Sequence, residues 1–122
     1  MNAPSSPLTF AGAADGRLLT LVFVGRMTGD EVRKVRPEVD AAIEAGLPTL
    51  VDASGVSHMD SLGVALLVHV GKALEARRLP VAVIPGPGPV ARLLGLARLD
   101  NYLNVAFSRS EALLFLGLAP GS

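Results

Sequence analysis

The chain has 122 residues, of which half are apolar, and its 11 basic residues balance 11 acidic ones. A chain of this length forms one domain with a sizeable core, and we expect this domain over residues 8–118. We expect residues 1–7 to form a disordered tail. The charge balance argues against a nucleic-acid binder, which needs a basic face, and against a polybasic membrane-surface protein.

The sequence contains no cysteine, which excludes a disulfide framework, a thiolate nucleophile and a cysteine-based metal site. Residues 1–17 lack the basic and apolar regions of a signal peptide, and no apolar run approaches the roughly 18 residues of a membrane span. We therefore expect a cytoplasmic protein that does not insert directly into a membrane.

The first part of the chain predicts a β-hairpin and a helix. Strands over residues 8–11 and 18–25 are separated by a turn at Asp15-Gly16, a dipeptide typical of hairpins. Thr28 and Glu31 have the spacing of a capping box, and apolar residues then recur at helical spacing as far as Ile43. Pro37 interrupts this pattern and predicts a kink or a restart of the helix.

The rest of the chain alternates between buried strands and helices. Strands are predicted over residues 49–53, 81–84 and 104–107, and helices over residues 61–77, 90–96 and 108–116. The order implies an α/β fold, a mixed β-sheet with helices packed mainly on one face. Five residues are expected in its core: Leu50, Val51, Val81, Val83 and Ile84.

The most informative stretch is residues 51–63, which predicts a buried strand, a short polar loop over residues 54–60 and a helix that opens on Ser61. A helix N-terminus carries unpaired N–H groups and partial positive charge. A hydroxyl there can cap the helix, and a phosphate added there would lie where anions are favoured. Ser61 is therefore either a plain cap or the site of a charge-changing switch, and the two roles can coexist.

The residues near Ser61 do not form a catalytic constellation. Asp60 is interpreted as a loop or helix-start residue, because no nucleophile–base pair, paired carboxylate or metal triad accompanies it in sequence. We therefore predict no enzymatic activity, no metal site and no cofactor. His58 lies beside the proposed switch, where it suits partner contact or a response to pH.

Three other patterns have structural interpretations. His69 shares a helical face with Ala65 and Lys72 and is expected in solvent. The loop over residues 85–89 alternates proline and glycine, and it predicts a rigid connection because prolines lack the N–H donors of a phosphate cradle. An apolar stripe on the second helix is expected in the core, and its members are Val64, Leu67, Val68, Gly71 and Leu74.

The stretch Val51-Asp52-Ala53-Ser54-Gly55-Val56-Ser57-His58-Met59-Asp60-Ser61-Leu62-Gly63 resembles the hydrophobic strand, S-x-M-D-S-x-G loop and phosphorylatable serine of STAS domains. Weaker similarities are Gly25 after the second strand, residues 89–94 after the proline-glycine loop, and residues 111–114 in the last helix. The resemblance covers nearly all of residues 8–118. It is to the anti-sigma factor antagonist type, and it implies the STAS-like mixed sheet.

The resemblance also implies a function by reversible protein binding. In antagonists, the serine after the aspartate is phosphorylated by a partner kinase that is also the anti-sigma factor, and Ser61 occupies that place. The implied partner is thus an anti-sigma factor with serine kinase activity, with no nucleic acid bound, and the protein is expected as a monomer or weak dimer. The partner-binding residues expected on this basis are Thr28, Ser57, His58, Asp60, Ser61 and Leu62.

The sequence departs from the antagonist pattern at two positions. Antagonists often carry an acidic G-E-L-D after the second strand, whereas this chain has Gly25-Arg26-Met27-Thr28, and Leu62 stands where many relatives have a small residue. Two alternatives therefore remain. The domain could be an unmodified subunit or scaffold of a transporter or stress-signalling complex, or a small-molecule or nucleotide-binding module that uses the same helix end.

Overall fold

The computed structural model describes residues 7–118, so the predicted tail over residues 1–7 lies outside the described residues except for residue 7. Strands and helices alternate along the described residues after an initial pair of strands. In chain order they are β1 (Thr9–Ala14), β2 (Leu19–Met27), α1 (Gly29–Ile43), β3 (Thr49–Met59), α2 (Ser61–Ala76), β4 (Val81–Ile84), α3 (Pro89–Leu96) and α4 (Arg109–Phe115).

The four strands form one mixed sheet in the order β1-β2-β3-β4. β1 and β2 form the predicted antiparallel hairpin, while β2, β3 and β4 run parallel. Asp15 organises the hairpin turn, because its Oδ1 accepts hydrogen bonds from the N–H groups of Arg17 (3.0 Å) and Leu18 (2.9 Å). Gly16 supplies the left-handed conformation that the turn needs, with φ of 94°.

The helices pack mainly on one face of the sheet, as predicted. Alternate residues of each strand point to opposite faces, so Val51 and Val83 join the large core under α1, α2 and α3. Leu50 and Ala82 point the other way and meet a smaller cluster under α4. Four of the five expected core residues are buried, and Ile84 is half-buried because it ends β4.

Helix α1 runs unbroken from Gly29 to Ile43, so the predicted restart at Pro37 is wrong. Pro37 lies on the exposed side of α1, where the carbonyl group that loses its partner can be hydrated. The buried side carries the apolar positions that the spacing predicted, namely Val32, Val35, Val39 and Ile43.

Strand β3 is longer than predicted, and most of the expected polar loop belongs to it. The strand continues to Met59 because Gly55 and Val56 pair with Val24 and Gly25 of β2. Register shifts in the β2–β3 ladder accommodate the difference in length. The sequence predicts a loop here because most side chains in this part of β3 are exposed. Apolar and polar residues therefore do not alternate as they do in a strand with one buried face.

The predicted strand over residues 104–107 is reduced to an isolated parallel bridge between Val83 and Val105. Asn104 explains the short pairing, because it adopts a left-handed φ of 54° and its side-chain amide donates to the carbonyl of Val81 (2.9 Å). The last helix is capped by Ser108, whose Oγ accepts from the N–H of Glu111 (3.1 Å).

The exposed side of α2 contacts α1 through His69. Its Nε2 lies 2.6 Å from Asp40 Oδ1, and its Nδ1 lies 3.2 Å from Arg36 Nη2. The expectation of a solvated histidine is only partly right, because His69 is 30% exposed but a neighbouring helix supplies partners that helical spacing alone does not reveal. The predicted stripe on α2 is only partly right, since Val64 and Val68 are half-buried. The buried positions are Gly63, Leu66, Leu67, Val70, Gly71 and Leu74.

Candidate functional site

Asp60 joins the end of β3 to the start of α2. Its backbone is extended, with φ of −116° and ψ of −171°, and its Oδ1 accepts from the N–H groups of Leu62 (2.9 Å) and Gly63 (3.1 Å). These bonds satisfy donors of the first helical turn, so Asp60 is the N-cap. Ser61 is the first residue of α2, and the expectation that its hydroxyl caps the helix is wrong.

The same carboxylate also reaches the start of α1. Asp60 Oδ2 accepts from the N–H of Gly29 (3.1 Å), and the Asp60 N–H donates to the carbonyl of Met27 (3.4 Å). One side chain therefore fixes the beginnings of two neighbouring helices. The arrangement brings Thr28, which precedes Gly29, to the same edge of the sheet as Ser61.

Thr28 and Glu31 do not form the hydrogen bonds of the predicted capping box. Thr28 occupies the N-cap position of α1, but its side chain makes no capping bond. Glu31 turns towards β1 instead, where its Oε1 accepts from the N–H of Leu8 (3.0 Å). Asp60 instead accepts from the N–H of Gly29, the first residue of α1, a contact between residues 31 apart in sequence.

The Ser61 side chain is exposed, and its hydroxyl forms no hydrogen bond with any residue in the range 7–118. A phosphate added to it would benefit from the partial positive charge of the α2 N-terminus. The same phosphate would lie beside the ionised carboxylate of Asp60, which already holds two N–H groups of that turn. At this site the favourable helix N-terminus therefore opposes the repulsion between the phosphate and Asp60.

Leu62 presents an apolar side chain next to Ser61. It is 38% exposed, a large fraction for a leucine in the first turn of a helix. It lines a cleft of about 170 Å³ between α1 and α2 together with Val32, Arg33, Arg36, Ala65 and Leu66. Leu62 and this cleft add apolar area to the edge that carries Ser61.

Ser57 and His58 are exposed at the end of β3, and Ser57 Oγ lies 3.0 Å from His58 Nδ1. Arg26 is the register partner of His58 on β2. On the opposite side of β3, Ser57 lines an open cleft of about 440 Å³ with Arg92 and residues of the β4–α3 loop. The six residues expected to bind a partner thus all lie where β2 and β3 end.

Two features of this edge were not singled out from the sequence. Gly63 is required for close packing, because a Cβ atom there would overlap the carbonyl oxygen of Met27 and approach Met59 Cγ to 2.9 Å. Arg92 was not among the residues expected to bind a partner, yet it shares a cleft with Ser57. The available signal was topological, since the ends of parallel strands β3 and β4 meet at one edge.

Within the described part of the chain, no three histidine, aspartate or glutamate side chains come together in a group that could hold a metal ion. Among the same residues, no helix has both the length and the apolar character needed to cross a membrane.

The fold and this strand–helix junction define a STAS-type domain. The sequence model of the MlaB STAS domain family matches residues 10–113. The chain belongs to that STAS family. No curated protein sequence is significantly similar to it.

Solved structures with similar folds include anti-sigma factor antagonists. One from Mycobacterium paratuberculosis superposes with a TM-score of 0.81 at 19% identity, over 93% of this chain and 99% of that one. Unphosphorylated SpoIIAA gives a TM-score of 0.69 at 19% identity, over 91% and 99% of the two chains. Phosphorylated SpoIIAA from Bacillus gives a TM-score of 0.61 at 22% identity, over 86% and 96%.

Proposed function

We propose that this protein is an anti-sigma factor antagonist that binds an anti-sigma factor with serine kinase activity and is released by phosphorylation at Ser61. The observation that carries the proposal is the position of Ser61. Ser61 is the first residue of α2, at the edge of the sheet and directly before the exposed apolar side chain of Leu62. Its hydroxyl is exposed and forms no hydrogen bond with a residue in the range 7–118. The similarity in fold to solved antagonists supports the same function.

In the unphosphorylated state, the edge around Ser61 docks on the partner, and the partner then releases its sigma factor. Thr28, Ser57 and His58 contribute polar contacts, and Leu62 contributes apolar area. Asp60 acts indirectly, because its carboxylate holds the starts of α1 and α2 in fixed positions. The surface is thus organised before the partner arrives, which lowers the entropic cost of docking.

Phosphorylation changes the charge of this surface. The kinase transfers the γ-phosphoryl group of ATP to Ser61 Oγ, which loses its proton, and ADP leaves. The added charge is about −1.5 to −2 at neutral pH. Within the domain the helix N-terminus stabilises it by about 0.3–1 kcal/mol. In a docked interface a dianion beside like charge costs several kcal/mol, so the switch acts on binding rather than on folding.

The protein acts in this proposal through binding and not through catalysis. It works in the cytoplasm as a monomer or weak dimer, where the kinase and ATP are available. The edge that carries Ser61 offers hydrogen-bonding groups and apolar area. These are the attributes of an interaction surface.

A second candidate function is that of an unmodified STAS subunit in a transporter or stress-signalling complex. The family match favours it, because the matching description names MlaB and not an antagonist. In that case the same edge would bind a partner subunit permanently, and Ser61 would remain unphosphorylated.

The deciding experiment combines the purified protein with an anti-sigma factor kinase from the same genome and ATP, followed by mass spectrometric mapping. We expect phosphate on Ser61, and weaker partner binding after the reaction. Ser61→Ala should bind the partner without being modified, and Ser54→Ala serves as the matched control because Ser54 lies further back on β3. Unchanged affinity after complete phosphorylation of Ser61 would favour the unmodified subunit.

A further inference from the structure

Two arginine side chains flank the end of β3. Arg26 follows one neighbouring strand, in register with His58, and Arg92 lies on the opposite side in the cleft that Ser57 lines. Both arginines are exposed, and neither forms an ion pair or a side-chain hydrogen bond with a residue in the described range 7–118. Two guanidinium groups without a partner in this range therefore lie on either side of the exposed residues Ser57 and His58.

The carboxylates at this edge of the sheet are already engaged. Asp60 accepts three backbone N–H groups. Asp30 pairs with Arg33 at 2.6 Å, and Glu31 lies 3.6 Å from the Lys34 ammonium group. Asp30 and Glu31 are thus paired with cations of α1, whereas neither of the two arginines beside β3 is paired with a carboxylate among residues 7–118.

We propose that Arg26, His58, Ser57 and Arg92, here called the cationic strip, dock an acidic segment of the partner protein. The inference rests on the proposed function, because it names the chemistry of the partner that the Ser61 edge binds. Arginine suits this role, since its planar fork of N–H donors matches a carboxylate in a bidentate manner. The strip also gives the switch a physical basis, because phosphate on Ser61 repels an acidic segment.

A protein partner fits these charges better than a nucleic acid or a membrane. The formal net charge of the chain is zero, and the strip contributes two arginines. Nucleic acids and anionic membranes bind through extended basic patches whose affinity accumulates over many phosphates or lipids. A short acidic segment needs only a few matched charges next to an apolar contact, which Leu62 provides.

The test measures binding of a fluorescent helical peptide with glutamates along one face and leucines along the other, by fluorescence polarisation at low ionic strength. The same peptide with glutamine at each glutamate serves as the ligand control. We expect the acidic peptide to bind more tightly than the glutamine peptide, and Arg26→Glu and Arg92→Glu each to weaken it about two- to fivefold. The advantage of the acidic peptide should shrink as salt is added.

Arg78→Glu is the matched protein control, because Arg78 precedes β4 and so lies at the opposite edge of the sheet from Arg92. Its affinity for the acidic peptide should equal that of the wild type, and thermal unfolding should confirm that all variants fold. Equal binding of the acidic and glutamine peptides would overturn the inference, as would equal losses in all three variants. Charge-dependent retention on anionic lipid vesicles without peptide binding would also overturn it and would assign the strip to a membrane.

The outcome is separable from that of the Ser61 experiment. If the strip binds the acidic peptide but Ser61 is never phosphorylated, the cationic strip stands and the phosphorylation switch fails. If phosphorylation of Ser61 weakens partner binding while Arg26→Glu and Arg92→Glu bind the partner normally, the switch stands and the cationic strip fails.

Discussion

Asp60 and Gly29 are joined by a hydrogen bond between residues 31 apart in sequence, in which the Gly29 N–H donates to Asp60 Oδ2 at 3.1 Å. The other oxygen of the carboxylate caps α2. A single acidic side chain thus sets the relative position of two helix starts, and it does so directly beside Ser61. Asp60, the residue before Ser61, therefore fixes the geometry of the site.

This arrangement predicts that Asp60 matters for stability more than Ser61 does. Asp60→Ala removes three hydrogen bonds to backbone donors and should lower the free energy of unfolding by about 1–2 kcal/mol. Ser61→Ala removes no hydrogen bond to a described residue, so its effect should stay below about 0.5 kcal/mol. Urea unfolding of both variants checks the difference.

Asp60→Asn is the conservative control, because an asparagine oxygen can still cap a helix but carries no charge. We expect it to retain more stability than Asp60→Ala. A loss in Ser61→Ala as large as that in Asp60→Ala would show that the serine hydroxyl shares the capping role.

The start of α2 also depends on a glycine that lets two backbones approach. A Cβ atom at position 63 would overlap the Met27 carbonyl, so Gly63→Ala should destabilise the protein by about 1–3 kcal/mol. Gly95→Ala is the matched control inside α3, because nothing lies within 4 Å of its added Cβ. That control should stabilise by about 0.5–1 kcal/mol through helix propensity. Thermal unfolding of the two variants should give shifts of opposite sign.

The alternation of strands and helices was predictable because it rests on local signals. The turn at Asp15 and the apolar run of β4 each depend on residues close in sequence, and the structure confirms them. The order of strands and helices predicted that the helices pack mainly on one face of the sheet, and α1–α3 do so. The STAS resemblance added the expected place of Ser61 after a buried strand.

The errors in the sequence interpretation come from contacts between distant residues. The length of β3 depends on pairing with β2, which makes a strand of a polar segment that reads as a loop. The capping box at Thr28 fails because Glu31 accepts from the N–H of Leu8, just before β1, instead of from Thr28. The role of His69 likewise depends on α1 lying alongside α2.

The hairpin turn predicts a pH dependence of stability. Hydrogen bonds from the N–H groups of Arg17 and Leu18 lower the pKa of the Asp15 carboxyl below its ordinary value of 3.8. A lowered folded-state pKa means that this contribution to stability is present above the unfolded-state pKa and is lost as the pH falls through the folded-state pKa. Carboxyl NMR should place the Asp15 titration midpoint below 3.8.

Asp15→Ala provides the matched measurement of stability. The variant should be less stable than the wild type at neutral pH, and the difference should narrow as the pH falls below the Asp15 pKa. A difference that is constant down to the most acidic pH would mean that the turn depends on the shape of the side chain and not on its charge.

The final prediction separates the stability of Ser61→Asp from its binding. An acid in the first turn of α2 is acceptable because the helix N-terminus favours negative charge, although Asp60 lies next to it. The melting temperature should therefore change little. Partner affinity should fall, but less than after phosphorylation, since one carboxylate carries less charge than a phosphate. Ser61→Asn, which has a similar size and no charge, is the control and should bind nearly as well as the wild type. Calorimetric titration of the partner into the variants measures the affinities, and equal affinity of Ser61→Asp and Ser61→Asn would contradict a switch based on charge.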